Sequence, residues 1–170
     1  MRNMSAMLVI VAMFALTIWT APATSQEKQE MSPEAKAEME AWQKAATPNE
    51  NHQRLARFEG TWSFTSRWWS APGAEPMEST GSATYEMILG GRYLKEIVKS
   101  EWMDEPFEGL GYTGYDNVKK VYVSTWFDNM STGMMISEGS WDGGSNTFNW
   151  TGEYMDAMTG KLKKMRMVNR

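Results

Sequence analysis

The stretch 107–133, FEGLGYTGYDNVKKVYVSTWFDNMSTG, constrains the fold of this chain more than any other. Residues of alternating character run up to Asp116-Asn117 and resume from Val121 to Asp128. Alternation sends successive side chains to opposite faces of a strand, and Asp and Asn turn the backbone by bonding to it locally. Two antiparallel strands about a tight turn are predicted, with aromatic residues placed where a barrel wall needs them.

The same cadence covers everything after Gly60. Strands are predicted near 60–69, 79–89, 92–102, 107–115, 119–128, 133–141, 146–154 and 161–168. The breaks fall at Gly73, Gly90-Gly91, Asp104-Glu105-Pro106, Asp116-Asn117, Asn129 to Thr132, Asp142 to Ser145 and Asp156 to Gly160. None of these connections is long enough for a helical crossover, so each strand pairs antiparallel with the next. The predicted fold is all-β, an antiparallel up-and-down barrel of residues 49–170.

Ahead of the barrel, Ser32 caps a helix with Pro33 in its first position and Glu34 in its first turn. Ala35, Met39, Trp42 and Ala46 follow at helical spacing, and the helix ends before Pro48. Thr47-Pro48 reads as a second start signal, opening a short helical segment whose Leu55 and Phe58 lead into the barrel. The helical N-terminal part is expected to plug or cover one barrel end. Residues 24–31 read as a polar tether within a 24–48 linker and helix region.

Residues 1–23 read as a secretory signal. Arg2 gives the positive start, Ala6 to Trp19 the apolar run, and Ala21-Pro22-Ala23 the small-residue cleavage site. The apolar run is about fourteen residues, short of the ~20 that span a bilayer, so cleavage near Thr24 into the periplasm or exterior is expected, with no stable membrane span. The chain has no cysteine, which excludes disulfides, thiolate metal sites and a lipidated N-terminal thiol. Seventeen Lys and Arg stand against 21 Asp and Glu, the basic residues are scattered, and nucleic acid is not an expected partner.

Alternation also sorts the faces. Trp62, Phe64 and Trp68 share one side of the first strand; Ser63, Thr65 and Arg67 share the other. On the fifth strand Tyr122 and Trp126 oppose Val121, Val123 and Phe127, which fits a wall between a ligand-sized interior and a covered exterior, and equally a strand buried twice in a sandwich. Tyr85, Tyr93, Tyr112, Tyr122, Trp126 and Trp150 are the residues expected to project inward and line a pocket.

Four separated motifs now fall in one order: FEGTW at 58–62, ILGGRYL at 88–94, PFEGLG at 106–111, and the 107–133 stretch itself. Over roughly residues 49–167 the chain resembles the bacterial family catalogued as domain of unknown function 1579. The resemblance implies a fold and assigns no reaction. Gly60-Thr61-Trp62 further resembles the opening motif of the calycin barrels, the lipocalins and fatty-acid-binding proteins. That implies a calycin-like barrel in which Trp62 closes one end under the segment of Leu55 and Phe58, with a basic side chain across its indole, Arg166 first and Lys164 second. Relatives carry roughly two strands beyond the equivalent of 161–168. The expectation is therefore a barrel incomplete at its C-terminus: an open curved sheet, or one closed by a neighbour or by the N-terminal segment, with edges that invite self-association.

Chemistry is harder to find. His52 is the one histidine, precedes the first strand, and is expected to be a hydrogen-bonded end-cap residue rather than a base or haem ligand. Glu101, Asp104, Glu105 and Glu108 crowd one connection and read as solvated surface; Asp116 and Asp128 read as turn residues. Nucleophile-elbow, zinc-protease, phosphate-loop and EF-hand patterns are absent. Among 16 methionines only Met155-x-x-Met158 and Met165-x-Met167 are spaced for Cu(I), and flexible thioethers filling an irregular interior are the simpler reading, so no metal, cofactor or catalytic set is assigned. The function expected is non-covalent binding of a small hydrophobic or aromatic molecule. The alternatives are a structural or interaction module with a filled core, and an enzyme acting on a hydrophobic substrate, for which a carboxylate inside the barrel within reach of a Tyr hydroxyl would be the sign.

Overall fold

The computed structural model describes residues 31–69, 71–157 and 159–170. The expected signal 1–23, the tether up to residue 30, and Met158 lie outside the described residues.

Helix α1 (Pro33–Ala46) begins as its sequence dictates, with the Ser32 hydroxyl accepting from the Ala35 N–H at 3.2 Å. It does not cover the barrel. No residue of α1 is buried, and Trp42 is 66% exposed. The helix is held by its C-terminal end, where Arg92 Nη2 donates to the Ala46 carbonyl at 2.8 Å and Asn117 Nδ2 donates to the carbonyls of Ala45 and Thr47 at 2.9 and 2.8 Å. These donors satisfy carbonyls that a helix end leaves without partners.

Helix α2 (Glu50–Ala56) is capped one residue beyond the predicted Thr47-Pro48 signal, by Asn49. Thr47 is extended, the conformation that a residue before proline prefers, and serves instead as the C-cap of α1. Asn49 Oδ1 accepts from the Asn51 N–H at 2.9 Å while His52 Nδ1 accepts from the Asn49 N–H at 3.1 Å, so the histidine completes a reciprocal capping box. Burial, and the positive charge of Arg92, hold the imidazole below its ordinary pKa, which preserves the neutral ring that this acceptor role requires.

Among the described residues eight strands follow: β1 (Gly60–Trp68), β2 (Met77–Ile88), β3 (Tyr93–Trp102), β4 (Glu105–Asp116), β5 (Val121–Asp128), β6 (Met135–Asp142), β7 (Thr147–Met155) and β8 (Leu162–Asn169). They form one antiparallel sheet in sequence order, curled into a half-barrel. One predicted break moves. Met103 and Asp104 alone make the β3–β4 turn, both at positive φ (52° and 65°), and Glu105 and Pro106 already belong to β4. A two-residue turn with both central residues left-handed matches the twist of the strands it joins, which lets the ladder run down to Trp102 opposite Glu105.

Strands β1 and β8 are not paired with each other, so the sheet is the open curved form and not a closed barrel. Helix α2 plugs one end. Its Leu55, 2% exposed, meets Leu94, Tyr122, Phe148 and Trp150 in the core. Arg54 anchors the plug: Nη1 donates to the Tyr122 hydroxyl at 2.8 Å and to Asn51 Oδ1 at 2.7 Å, and the guanidinium lies over the Trp141 ring, 5.1 Å from its centroid. Trp62 lies at the same end, its Nε1 donating to the Phe58 carbonyl at 2.8 Å, but on an edge strand it stays 52% exposed.

Candidate ligand pocket on the concave face

The pairing register writes the concave face as rows running across the strands. One row is Tyr85, Glu96, Gly111, Trp126 and Met135. The next is Leu94, Thr113, Ser124, Ser137, Gly152 and Met165. A third, nearer the plug, is Tyr115, Tyr122, Gly139, Trp150 and Met167. Glycines on this face make room for indoles. A Cβ on Gly109 would overlap the Trp126 ring, and one on Gly139 would overlap that of Trp150. Both large rings therefore lie low against the sheet and leave space above them.

That space is a cavity of about 350 Å³, floored at the plugged end by Leu55 and Phe58 and walled by Trp126, Trp150, Met135, Met165 and Met167. Two hollows along β1–β3 share Thr80 and Glu101 and mix polar groups with Met77 and Trp102 in one and Phe64 in the other, so their linings are more polar. Few polar groups enter the cavity. Thr113 Oγ1 donates to Ser124 Oγ at 3.0 Å, and the Tyr85 hydroxyl donates to Glu96 Oε1 at 2.6 Å. Burial pushes the Glu96 carboxyl above its ordinary pKa, against the opposing pull of the Tyr85 hydrogen bond, and burial beside Glu96 raises the Tyr85 phenol in turn. Among the described residues no cation pairs with Glu96. Lys95 and Lys99, on the same strand, occupy positions of the opposite face.

The six expected lining residues divide. Tyr85, Trp126 and Trp150 border the cavity. Tyr122 is on the concave face but beneath the floor, 1% exposed, its ring among Tyr115, Phe148 and Trp150. Tyr93 and Tyr112 belong to the convex face and are corrected: Tyr93 pairs with Gly114, one position out of phase with Leu94, and Tyr112 packs on Phe127 across a ring-centroid distance of 6.4 Å. Arg166 is corrected as well. It pairs with Thr151, out of phase with Met165 and Met167, so it faces away from the concave side on which Trp62 stands; Lys164 shares its face. The cation–π contact belongs to Arg54 and Trp141.

Glu96 escaped the sequence reading although a signal was present. It occupies the inward phase of Leu94 and Val98, both buried, and an acid in such a series is out of place unless it serves the interior. Glu101, Asp104, Glu105 and Glu108 are exposed. Asp116 accepts from the N–H groups of Val118 and Lys119 at 2.8 and 2.9 Å, the turn role expected of it. Among the described residues no group of three or more His, Asp or Glu is placed to hold a metal ion.

A curled antiparallel half-barrel, plugged at one end by a short helix and bearing an aromatic hollow on its concave side, defines an all-β protein of calycin-like form. Within that class the chain belongs to the family described as Protein of unknown function (DUF1579), whose profile matches residues 47–170. The match takes in α2, so the plug is part of the family unit. No curated protein matches the chain. Among the described residues no helix is long and apolar enough to cross a membrane.

Proposed function

We propose that this protein binds a small, mostly apolar or aromatic molecule without covalent chemistry, as an exported protein of the periplasm or exterior. The observation that carries the reading is the cavity of about 350 Å³, within the usual size range of small-molecule pockets, whose walls are indoles and thioethers. A filled structural core would leave room for a few waters at most, each with a share of about 30 Å³. Thioether-rich walls adapt their shape, which favours several related ligands over one. Export rests on the Arg2, Ala6–Trp19 and Ala21-Pro22-Ala23 pattern, and N-terminal sequencing of the secreted form should read from about Thr24; retention of Met1 would refute it.

Trp126→Ala tests the pocket. Removing an indole that walls the cavity is expected to weaken binding of a naphthalene-bodied probe by about ten-fold or more, since burying an aromatic body against an aromatic wall is worth a few kcal/mol. Calorimetric titration of parent and variant gives the comparison, and equal affinities would remove the cavity from consideration.

The Tyr85–Glu96 hydrogen bond favours a second reading, an enzyme on a hydrophobic substrate with Glu96 as base. A ligand recovered chemically unchanged after long incubation with the protein decides for binding. The unpaired outer edges of β1 and β8 support self-association, which sedimentation over a range of concentrations measures.

A further inference from the structure

Glu96 is the feature that pocket-filling by an apolar body does not explain. A half-buried carboxylate that faces aromatic rings is tolerated while water reaches its free oxygen, and a ligand that displaces that water must supply a partner in its place. Tyr85 supplies one donor, to Oε1, and no described residue donates to Oε2. That second oxygen reaches over Gly111, 3.2 Å from where a Cβ would stand, and the Trp126 ring comes to within 3.3 Å of the same point from the next strand. A carboxylate oxygen and an indole thus converge on one spot that glycine keeps clear. Carboxylate and aromatic face together are the pair that attracts an ammonium group, the first by charge and the second by its quadrupole.

One other carboxylate stands near, Asp128, in the same phase of β5 as Trp126, and it accepts from the Trp126 Nε1–H at 2.9 Å outside the cavity lining. From β2 the facing titratable group is Tyr85; β4 presents Gly111 and Thr113, β5 Ser124 and Trp126, the plug Leu55 and Phe58, and β6–β8 only neutral residues. Glu96 is the one formal charge in the cavity lining. Burial holds its pKa above the ordinary carboxyl value, against the pull of the Tyr85 hydrogen bond.

We propose that the pocket selects amines: a protonated amino group pairs with Glu96 Oε2 against Trp126, while the aromatic or aliphatic body it carries fills the hollow toward Met135, Trp150 and Met167. This rests on the reading that the cavity binds a small apolar body, and it adds the charge that the body must carry. An acid of the same shape is rejected, because its carboxylate would face Glu96. A neutral alcohol binds through the body and a weaker hydrogen bond in place of the ion pair.

The experiment is calorimetric titration of the full chain at pH 7.5 with three probes of one shape and different charge: 1-naphthylmethylamine, 1-naphthylmethanol and 1-naphthoic acid. The amine is expected to bind about ten-fold tighter than the alcohol, since a charge-assisted hydrogen bond exceeds a neutral one by about the 1.4 kcal/mol that ten-fold represents. The acid is expected to bind weakest. Glu96→Gln should bring the amine down to the alcohol's affinity, and because the Gln oxygen still accepts from Tyr85, the variant should melt at or above the parent temperature. The parent alone gives an independent reading. Between pH 7.5 and 4.5 the amine keeps its proton, so affinity lost on acidification reports protonation of Glu96, while the alcohol's affinity stays flat. Equal binding of all three probes, or an amine affinity indifferent to both pH and Glu96→Gln, overturns amine selection and leaves the apolar pocket standing. Failure of all three at millimolar concentration overturns the pocket and this inference together.

Discussion

Replacing Tyr122 by alanine is expected to destabilise the protein by about 3–5 kcal/mol, the usual cost of deleting a buried aromatic side chain. Tyr122 is 1% exposed and stands where sheet and plug meet. Its ring packs edge-on against Tyr115 and Phe148, each at a centroid distance of 4.9 Å, and its hydroxyl accepts from Arg54 and donates to Asn51 Oδ1 at 3.0 Å. Alanine therefore opens a cavity and strips Arg54 of one partner in the same step. Against a total stability of about 5–15 kcal/mol for a domain this size, the loss takes a large share and should move the urea midpoint far down. Tyr122→Phe separates the two effects: it keeps the ring and is expected to lose only about 1–2 kcal/mol. Urea denaturation monitored by tryptophan fluorescence gives both values, and an unchanged midpoint for the alanine variant would mean that α2 is not the plug.

Gly139→Ala is expected to destabilise by about 1–3 kcal/mol, the range for forcing extra volume into a packed core. The sign is what makes this informative. In an open strand position alanine is ordinarily the better residue, by roughly 0.5–1 kcal/mol, because glycine loses more chain entropy on folding. Here the Trp150 ring covers the site, and it cannot slide freely because Phe148 stacks on it at 5.9 Å and Tyr122 borders it at 6.2 Å. Trp150→Leu made together with Gly139→Ala should cost less than the sum of the two alone, since the smaller side chain admits the methyl. Strict additivity, or a stabilising Gly139→Ala, would show that the indole does not lie on the glycine.

Much of the scaffold was legible because it rests on local rules. Strand positions follow from alternation and from turn residues, and the boundaries of all eight strands agree with the sequence reading to within about two residues. The Ser32 cap is equally local. The phase of β3 was not legible. Its sequence Tyr93-Leu94-Lys95-Glu96-Ile97-Val98 carries apolar residues in both phases, and a one-residue shift exchanges the faces without breaking any local preference. Nothing local therefore decides between Tyr93 and Leu94 as the inward residue, and the face of Glu96 hangs on the same choice.

An all-β chain of eight antiparallel strands with a helical lead-in follows from the residue pattern, because period-two patterning and turn chemistry act over a few residues and need no distant partner. Long-range packing alone sets which face is concave, that Arg54 rather than Arg166 meets a tryptophan, and that a carboxylate stands inside the hollow. Those outcomes depend on where α2 docks and on which glycines admit an indole from a neighbouring strand. They are contacts between residues far apart in the chain, and a pattern read along the chain does not contain them.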